Sequence, residues 1–163
     1  MAQLGDTTVY GSVDAHGFVT RAKQPAFSVY LTASQYIVAL STWYTIIGWT
    51  ELFNTGNHFN TTTGIFTAPV TGKYQLSANV DMRSLDSAAS YYWVRLMTTN
   101  STYGTLLDPN FTADISYRPF SVSILADMYA GDEAYIYMYQ NGGTANQTYA
   151  TVSYTTFSGF LVC

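Results

Sequence analysis

Residues with catalytic or metal-binding chemistry are scarce in this sequence. The 163 residues include two histidines and one cysteine, and only 10% are charged. His16 and His58 have no sequence neighbours that complete a metal site, apart from Asp14 beside His16. No Gly-x-Ser-x-Gly nucleophile elbow, phosphate-binding loop or dinucleotide fingerprint is present, and Cys163 at the chain end excludes an internal disulfide framework. We therefore expect a non-enzymatic protein with no catalytic residues, no cofactor and no dedicated metal site.

The charge balance argues against nucleic-acid and membrane partners. Six Lys and Arg residues stand against ten Asp and Glu residues, for a net charge of -4, and the six cations are scattered along the chain. The longest apolar stretch, from Tyr36 to Trp49, is interrupted by polar residues and is shorter than the roughly 20 residues that cross a bilayer. Surfaces with so few charges are often buried against copies of the same chain, so we expect an oligomer.

The first 24 residues differ from the rest of the chain. They lack the basic region and apolar run of a secretory signal, and their polar stretch from Gly5 to Gly17 cannot bury a core by itself. We interpret residues 1–24 as an anchor or stalk that attaches to a partner, with Val9, Tyr10 and Val13 as its apolar contact points. The alternative is a fraying tail.

Strand-forming residues dominate the remaining sequence. Val, Thr, Tyr, Phe and Ile are abundant, and no long window shows the period of an amphipathic helix. Short alternating segments are separated by Gly, Asn and Pro, which favours an all-β fold and, at this length, an antiparallel jelly-roll sandwich. The predicted strands are Ala26–Leu31, Tyr74–Val80, Tyr91–Met97, Phe120–Met128, Ala134–Gln140 and Val152–Val162.

One predicted strand is apolar on both faces. Its alternation places small and aliphatic residues on one face and three tyrosines, Tyr135, Tyr137 and Tyr139, on the other. Because an outer sheet face normally meets water, three tyrosines in a row indicate a second apolar neighbour, which we predict to be another subunit. The alternative is that the tyrosines simply cover an exposed face.

Two predicted loops are the candidates for ligand contact, because connections on a rigid scaffold carry variable function. They span Ser84–Ser90 and Asn100–Arg118. The longer loop contains aromatic and guanidinium groups of the kind that recognition surfaces favour. These residues are Tyr103, Phe111, Tyr117 and Arg118. The alternative is that the longer loop packs on itself across the top of the fold.

The order of motifs from Pro25 onward resembles the globular head of the C1q family, within the wider C1q/tumour-necrosis-factor-like group. The strongest signal is Gly64-Ile-Phe-Thr-Ala-Pro-Val-Thr-Gly-Lys-Tyr74, followed by Ala130-Gly-Asp132 and the terminal run Thr156-Phe-Ser-Gly-Phe-Leu161. The resemblance covers about residues 25–163, which we take as one head domain after the segment 1–24. It implies a ten-strand jelly roll that forms a compact homotrimer, with the chain ends together at the base and loops at the far end.

Two further expectations follow for particular residues. Gly64 and Gly72 are predicted at turns that require a positive φ. Some C1q-like heads bind calcium near the trimer axis, and Asp86, Asp108 and Asp114 lie in candidate loops that could supply oxygen ligands. The alternative is that these aspartates are turn formers.

The N-terminal run from Gly5 to Val13 looks like the lead-in to such heads in bacteriophage fibres and other virion surface proteins. We therefore predict a trimeric virion surface protein, a capsid decoration or head-fibre protein, whose head projects outward and aids host-surface adhesion. Its partners would be itself, a capsid or other virion protein, and a host surface glycan or protein. The alternative is a soluble, extracellular or fibre-tip recognition module that binds carbohydrate or protein ligands through its distal loops.

Overall fold

The computed structural model describes residues 23–145 and 149–162, and these residues form an antiparallel β-sandwich without helices. No helix in this part of the chain is long and apolar enough to span a membrane. The strands are β1 Ala26–Leu31, β2 Gln35–Tyr36, β3 Tyr44–Thr45, β4 Trp49–Thr55, β5 Phe59–Asn60, β6 Ile65–Thr67, β7 Gly72–Leu85, β8 Ala89–Thr98, β9 Thr102–Leu107, β10 Ile115–Met128, β11 Glu133–Gly142, β12 Tyr149–Ala150 and β13 Thr156–Leu161.

The strands form two sheets that face each other. In sheet I, β10 pairs with one edge of β7. The other edge of β7 pairs with β13, which is followed by β1 and β4. The C-terminal end of that same edge pairs with β12, which is followed by β2. In sheet II the order is β5-β6-β11-β8-β9, and the short β3 also pairs with β11. The predicted antiparallel jelly-roll sandwich is confirmed. The described strands number thirteen rather than ten, because several two- and three-residue strands extend the sheets.

The core lies between the sheets and is built by residues that alternate along each strand. Phe27 is the centre of an aromatic cluster, with its ring centroid 4.9 Å from Phe59, 4.8 Å from Phe66 and 4.9 Å from Phe157. All four rings are buried, and each contributes roughly 1.5–3 kcal/mol by leaving water. Because Phe27 and Phe157 belong to sheet I and the other two to sheet II, this cluster joins the two layers.

The predicted strands agree with the structure to different degrees. Ala26–Leu31 has the predicted bounds, and the four predicted strands between Tyr74 and Gln140 lie inside longer ones. The last strand begins only at Thr156, because residues 151–155 form a turn. The predicted long loop Asn100–Arg118 is wrong. It contains all of β9 and the start of β10, so only residues 108–114 connect them.

Gly104 explains why the sequence pattern predicts a loop where β9 lies. Glycine normally weakens a strand, but a Cβ at this position would lie 2.7 Å from the carbonyl oxygen of Val94 and 2.9 Å from Cγ of Arg95. The glycine is therefore required by close packing against β8. Gly64 has the predicted positive φ of 74°, whereas Gly72 does not and begins β7.

The described ends of the chain meet at one end of the sandwich, as the family resemblance implied. The side-chain amide of Gln24 donates to the carbonyl oxygen of Leu161, and the Leu161 amide donates to the carbonyl oxygen of Pro25. The connection 108–114 lies at the opposite end, beside the far ends of β7 and β10.

Gly64→Ala should destabilise the protein more than Gly131→Ala. Both glycines have a positive φ, which costs an alanine roughly 1–2 kcal/mol. A Cβ at Gly64 would also lie 2.1 Å from the carbonyl oxygen of Ile46, whereas nothing lies within 4 Å of one at Gly131. Overpacking of this kind adds about 1–3 kcal/mol. Chemical denaturation measures both losses, and equal losses would contradict this account of the Gly64 turn.

Candidate recognition site

The three predicted tyrosines lie on the outer face of sheet II, and the structure adds further aromatic residues beside them. Tyr139 lies opposite Trp93 of β8 in the strand register, and Tyr137 lies opposite Arg95. All of these side chains are half-buried in the single chain. We call the whole group the aromatic patch. Its members are Trp43, Tyr91, Trp93, Arg95, Tyr135, Tyr137 and Tyr139.

Trp43 packs on the tyrosines from the same chain. Its ring centroid lies 4.6 Å from that of Tyr139 and 5.7 Å from that of Tyr137. Part of the apolar neighbour that the tyrosines require is therefore intramolecular. The prediction that Tyr135, Tyr137 and Tyr139 form the subunit interface stays a prediction, because the structure contains one chain.

Backbone hydrogen bonds hold the Trp43 segment along β11. The Ser41 amide donates to the carbonyl oxygen of Gln140 at 2.9 Å, and the Ile46 amide donates to that of Ile136 at 2.9 Å. Between them, β3 pairs with β11. Ser41 also has a φ of 57°, in the left-handed region. This tight turn directs the chain back onto the sheet, so Trp43 joins residues of the patch that lie far away in sequence.

Arg95 is the cation of the aromatic patch. Its guanidinium carbon lies 3.6 Å from the ring centroid of Trp93 and 4.2 Å from that of Trp43, which is close cation–π geometry. Its Nε is buried and has no hydrogen-bond partner, and within residues 23–145 and 149–162 no carboxylate pairs with it. Gly104 makes room for this arrangement, because a Cβ there would contact both Arg95 and Trp93.

Two phenols of the patch, those of Tyr91 and Tyr135, have a raised pKa. The hydrogen bond to Tyr139, followed by burial, raises the pKa of Tyr91 above its ordinary value of 10.0. Burial, followed by a hydrogen bond to Tyr137, raises the pKa of Tyr135. Tyr91 and Tyr135 therefore contribute neutral hydroxyl groups to the patch that contains Arg95.

A groove borders the patch on the side of β6. It encloses about 480 Å³. It shares Thr63, Ile65 and Glu133 with a second depression of about 620 Å³, whose wall includes His58. We call the first of these the threonine groove. Its lining residues are Thr45, Ile47, Thr62, Thr63, Ile65, Glu133, Tyr135 and Tyr137.

The structure separates the predicted ligand-contact residues. Tyr103 does not belong to a loop, because it lies in β9 and packs half-buried against the core. Phe111 lies in the far-end connection 108–114 and is half-buried. Tyr117 and Arg118 are exposed at the start of β10, where they point to opposite faces of the strand.

Arg83 organises the far end of sheet I, and the sequence pattern does not single it out. Its guanidinium carbon lies 4.7 Å from the ring centroid of Tyr117 and 5.6 Å from that of Tyr154. Its Nε donates to the carboxylate of Asp81 at 2.8 Å. The strand register is the signal that identifies it, because Tyr117 lies directly opposite Arg83.

Two of the three aspartates considered for calcium hold turns. The Asp86 carboxylate accepts hydrogen bonds from the amides of Ala88 and Thr144, each at 2.7 Å. Asp114 accepts from the amide and the hydroxyl of Ser87, both at 2.9 Å. Asp108 is exposed. No group of three or more His, Cys, Asp or Glu residues in the described ranges is arranged to hold a metal ion.

The anchor residues Val9, Tyr10 and Val13 lie outside the described residues, as do His16 and Cys163. The predictions for them stay predictions.

Asp86→Ala should lower the free energy of unfolding by roughly 2 kcal/mol, because the amides of Ala88 and Thr144 lose their buried acceptor. The melting temperature of the native protein should be the same in calcium and in a chelator. Differential scanning calorimetry measures both. A calcium-dependent rise that Asp86→Ala abolishes would instead identify a calcium ligand.

Comparison with known proteins places the fold in a family. The model of the C1q domain family matches residues 26–162. The globular domain of zebrafish complement 1qA protein matches with a TM-score of 0.62 and 20% identity, over 86% of this chain and 98% of that chain. Two crystal structures of murine APRIL match with TM-scores of 0.59 and identities of 11% and 12%, over 86% of this chain and 100% of theirs. These structural likenesses show a shared fold, and the family model covers more than half of the sequence. The chain belongs to the C1q domain family.

Proposed function

We propose that this chain is a non-enzymatic, homotrimeric recognition module that binds its ligand through the aromatic patch on sheet II. The observation that carries the proposal is the patch itself. Six aromatic side chains and Arg95 are collected on one outer face and remain partly accessible. Trp, Tyr and Arg are the residues in which binding energy is concentrated at interfaces. Membership of the C1q domain family supports the proposal, because such domains are generally binding modules.

The outer face of sheet I supports self-association. Four serines form a continuous row across β1, β13, β7 and β10, in the order Ser28, Ser158, Ser77 and Ser123. These small side chains form a low row on the outer face of the sheet. We call this surface the serine face, and it includes the exposed Phe160 and Leu125 of the adjacent row.

Little charge opposes contact between two copies at the serine face. The parts of β7 and β10 beside the serine row are residues 72–79 and residues 121–128. Their only charged side chains are Lys73 and Asp127, and the Nζ of Lys73 lies 2.7 Å from a carboxylate oxygen of Asp127. A surface with exposed apolar groups and few charges can be buried against other copies of the chain. C1q-like homologues are trimeric, which supports three copies. We propose that the copies meet through the serine face and leave the aromatic patch free.

Leu125→Arg should lower the mass of the assembled protein measured by light scattering, because it places three unpaired charges in the interface. Leu125 is 56% exposed in the single chain, so the substitution leaves the fold intact. Tyr137→Asp should leave the mass unchanged. The competing prediction, trimerisation through Tyr135, Tyr137 and Tyr139, gives the opposite pair of results. Tyr129→Arg, at an exposed turn that belongs to neither face, is the matched control.

We propose that the module is displayed on a virion surface as a capsid decoration or head-fibre protein, attached through residues 1–24 and aiding adhesion to a host. This rests on the sequence of that segment, and the extracellular setting of C1q-like domains supports display on an outer surface. The alternative is a soluble or fibre-tip recognition module.

The full chain should co-sediment with purified virions, whereas a chain that starts at Pro25 should not. Both should have the same oligomeric mass, because the head carries the proposed interface. Co-sedimentation of neither chain, with both still oligomeric, would reject virion attachment and favour the soluble module.

A further inference from the structure

We propose that the aromatic patch and the threonine groove together bind an oligosaccharide that contains a carboxylate-bearing sugar, with its carboxylate on Arg95. This inference rests on the proposed recognition function and names its ligand class.

Arg95 supplies the anchoring charge. The indoles of Trp93 and Trp43 hold the guanidinium at 3.6 and 4.2 Å, and no acceptor among the described residues satisfies its Nε. This Nε is buried and closed to a ligand, but the side chain as a whole is half-buried, and no carboxylate among the described residues pairs with it. The planar donor fork of an arginine matches a carboxylate in two parallel hydrogen bonds. A ligand carboxylate on the guanidinium would provide the missing negative charge.

The neighbouring tyrosines fit sugar rings. Tyr137 lies opposite Arg95 in the strand register, and the ring centroid of Tyr135 lies 5.0 Å from that of Tyr137 in an edge-to-face arrangement. A phenol has an apolar face and a polar hydroxyl, so it can contact the C–H face of a sugar and bond to its hydroxyl groups. Both tyrosines also line the threonine groove, so the patch and the groove form one continuous surface.

The groove fits the neutral part of such a ligand. Hydroxyl groups of Thr45 and Thr63 line it together with the carboxylate of Glu133, and its lining contains no cation. Its volume of about 480 Å³ is within the usual range for small-ligand sites. Carboxylate and hydroxyl groups bind sugar hydroxyls well, whereas Glu133 would repel an anionic group.

The spacing of the two charges defines the ligand further. Glu133 is four residues before Tyr137 on β11, which corresponds to roughly 13 Å along a strand. An acidic sugar at Arg95 followed by neutral sugars toward Glu133 satisfies both ends. A single cation among the aromatic residues does not suffice for a nucleic-acid backbone, which requires several.

Isothermal titration calorimetry on the full chain tests this assignment, with 3′-sialyllactose as the acidic probe and lactose as its neutral counterpart. We expect saturable binding of sialyllactose and much weaker binding of lactose. Arg95→Gln should weaken sialyllactose binding roughly tenfold to a hundredfold through loss of the charged hydrogen bonds. Arg118→Gln removes an exposed arginine outside the patch and should leave binding unchanged.

A second variant keeps the test valid if Arg95→Gln does not fold, which thermal melting would reveal. Glu133→Gln alters an exposed side chain and should weaken sialyllactose binding severalfold while the melting temperature stays the same. Equal binding of both probes, no binding of either, or full binding by folded Arg95→Gln would overturn the assignment.

Two other outcomes would reject the acidic-sugar assignment in different ways. A lower mass of folded Arg95→Gln in light scattering would show that the patch is a subunit interface, which contradicts the proposed function as well. If the native protein binds a different ligand and Arg95→Gln does not, the acidic glycan is rejected. The proposed recognition function then still holds.

Discussion

The alternation of side chains along the long strands is the constraint on which the rest of this structure depends. Each strand contributes every second residue to the single core between the sheets, where the rings around Phe27 join the two layers. The remaining residues must form two outer faces. With only 10% of the sequence charged, against roughly 25% in an average domain, charged side chains cannot cover most of those faces. The protein instead covers one with hydroxyl groups and the other with aromatic rings.

These two outer faces have different chemistry. The serine face of sheet I has small side chains in one continuous row and exposed apolar groups beside them. The aromatic patch of sheet II has relief, because Trp43 lies on the tyrosines and a groove follows beside it. A face with small side chains and few charges suits contact with copies of the chain, and a face with relief and a fixed cation suits a ligand. The proposed self-association and the proposed ligand binding therefore use separate faces of the fold.

The fold could be predicted from the sequence because its signals are local. Buried and outward-facing residues alternate in Ala26–Leu31 and around Tyr135–Tyr139, and residue types alone reveal this period of two. The same alternation places the three tyrosines on one face of β11. The strand β9 could not be predicted, because Gly104 resembles a strand breaker although it is needed where Arg95 and Trp93 cross it. Its role depends on side chains of a neighbouring strand that local patterns do not reveal.

The candidate site could be predicted only in part. Alternation identifies Tyr137 and Tyr139, but Trp43 reaches them from nearly a hundred residues earlier in the chain, through a turn at Ser41 whose direction no local pattern gives. In the sequence Arg95 is only one of six scattered cations. Trp93 lies two residues earlier on the same strand, but the second indole, Trp43, comes from a distant part of the chain. Residue types define the separate parts of the site, and long-range strand pairing assembles them.

Hydroxyl-radical footprinting of the assembled protein, measured by mass spectrometry against the dilute single chain, tests the central claim most directly. The account predicts that Leu125 and Phe160 become protected on assembly, whereas Trp93 and Tyr137 remain reactive. Protection of Trp93 and Tyr137 with Leu125 and Phe160 still reactive would contradict it, because the aromatic patch would then be the subunit interface.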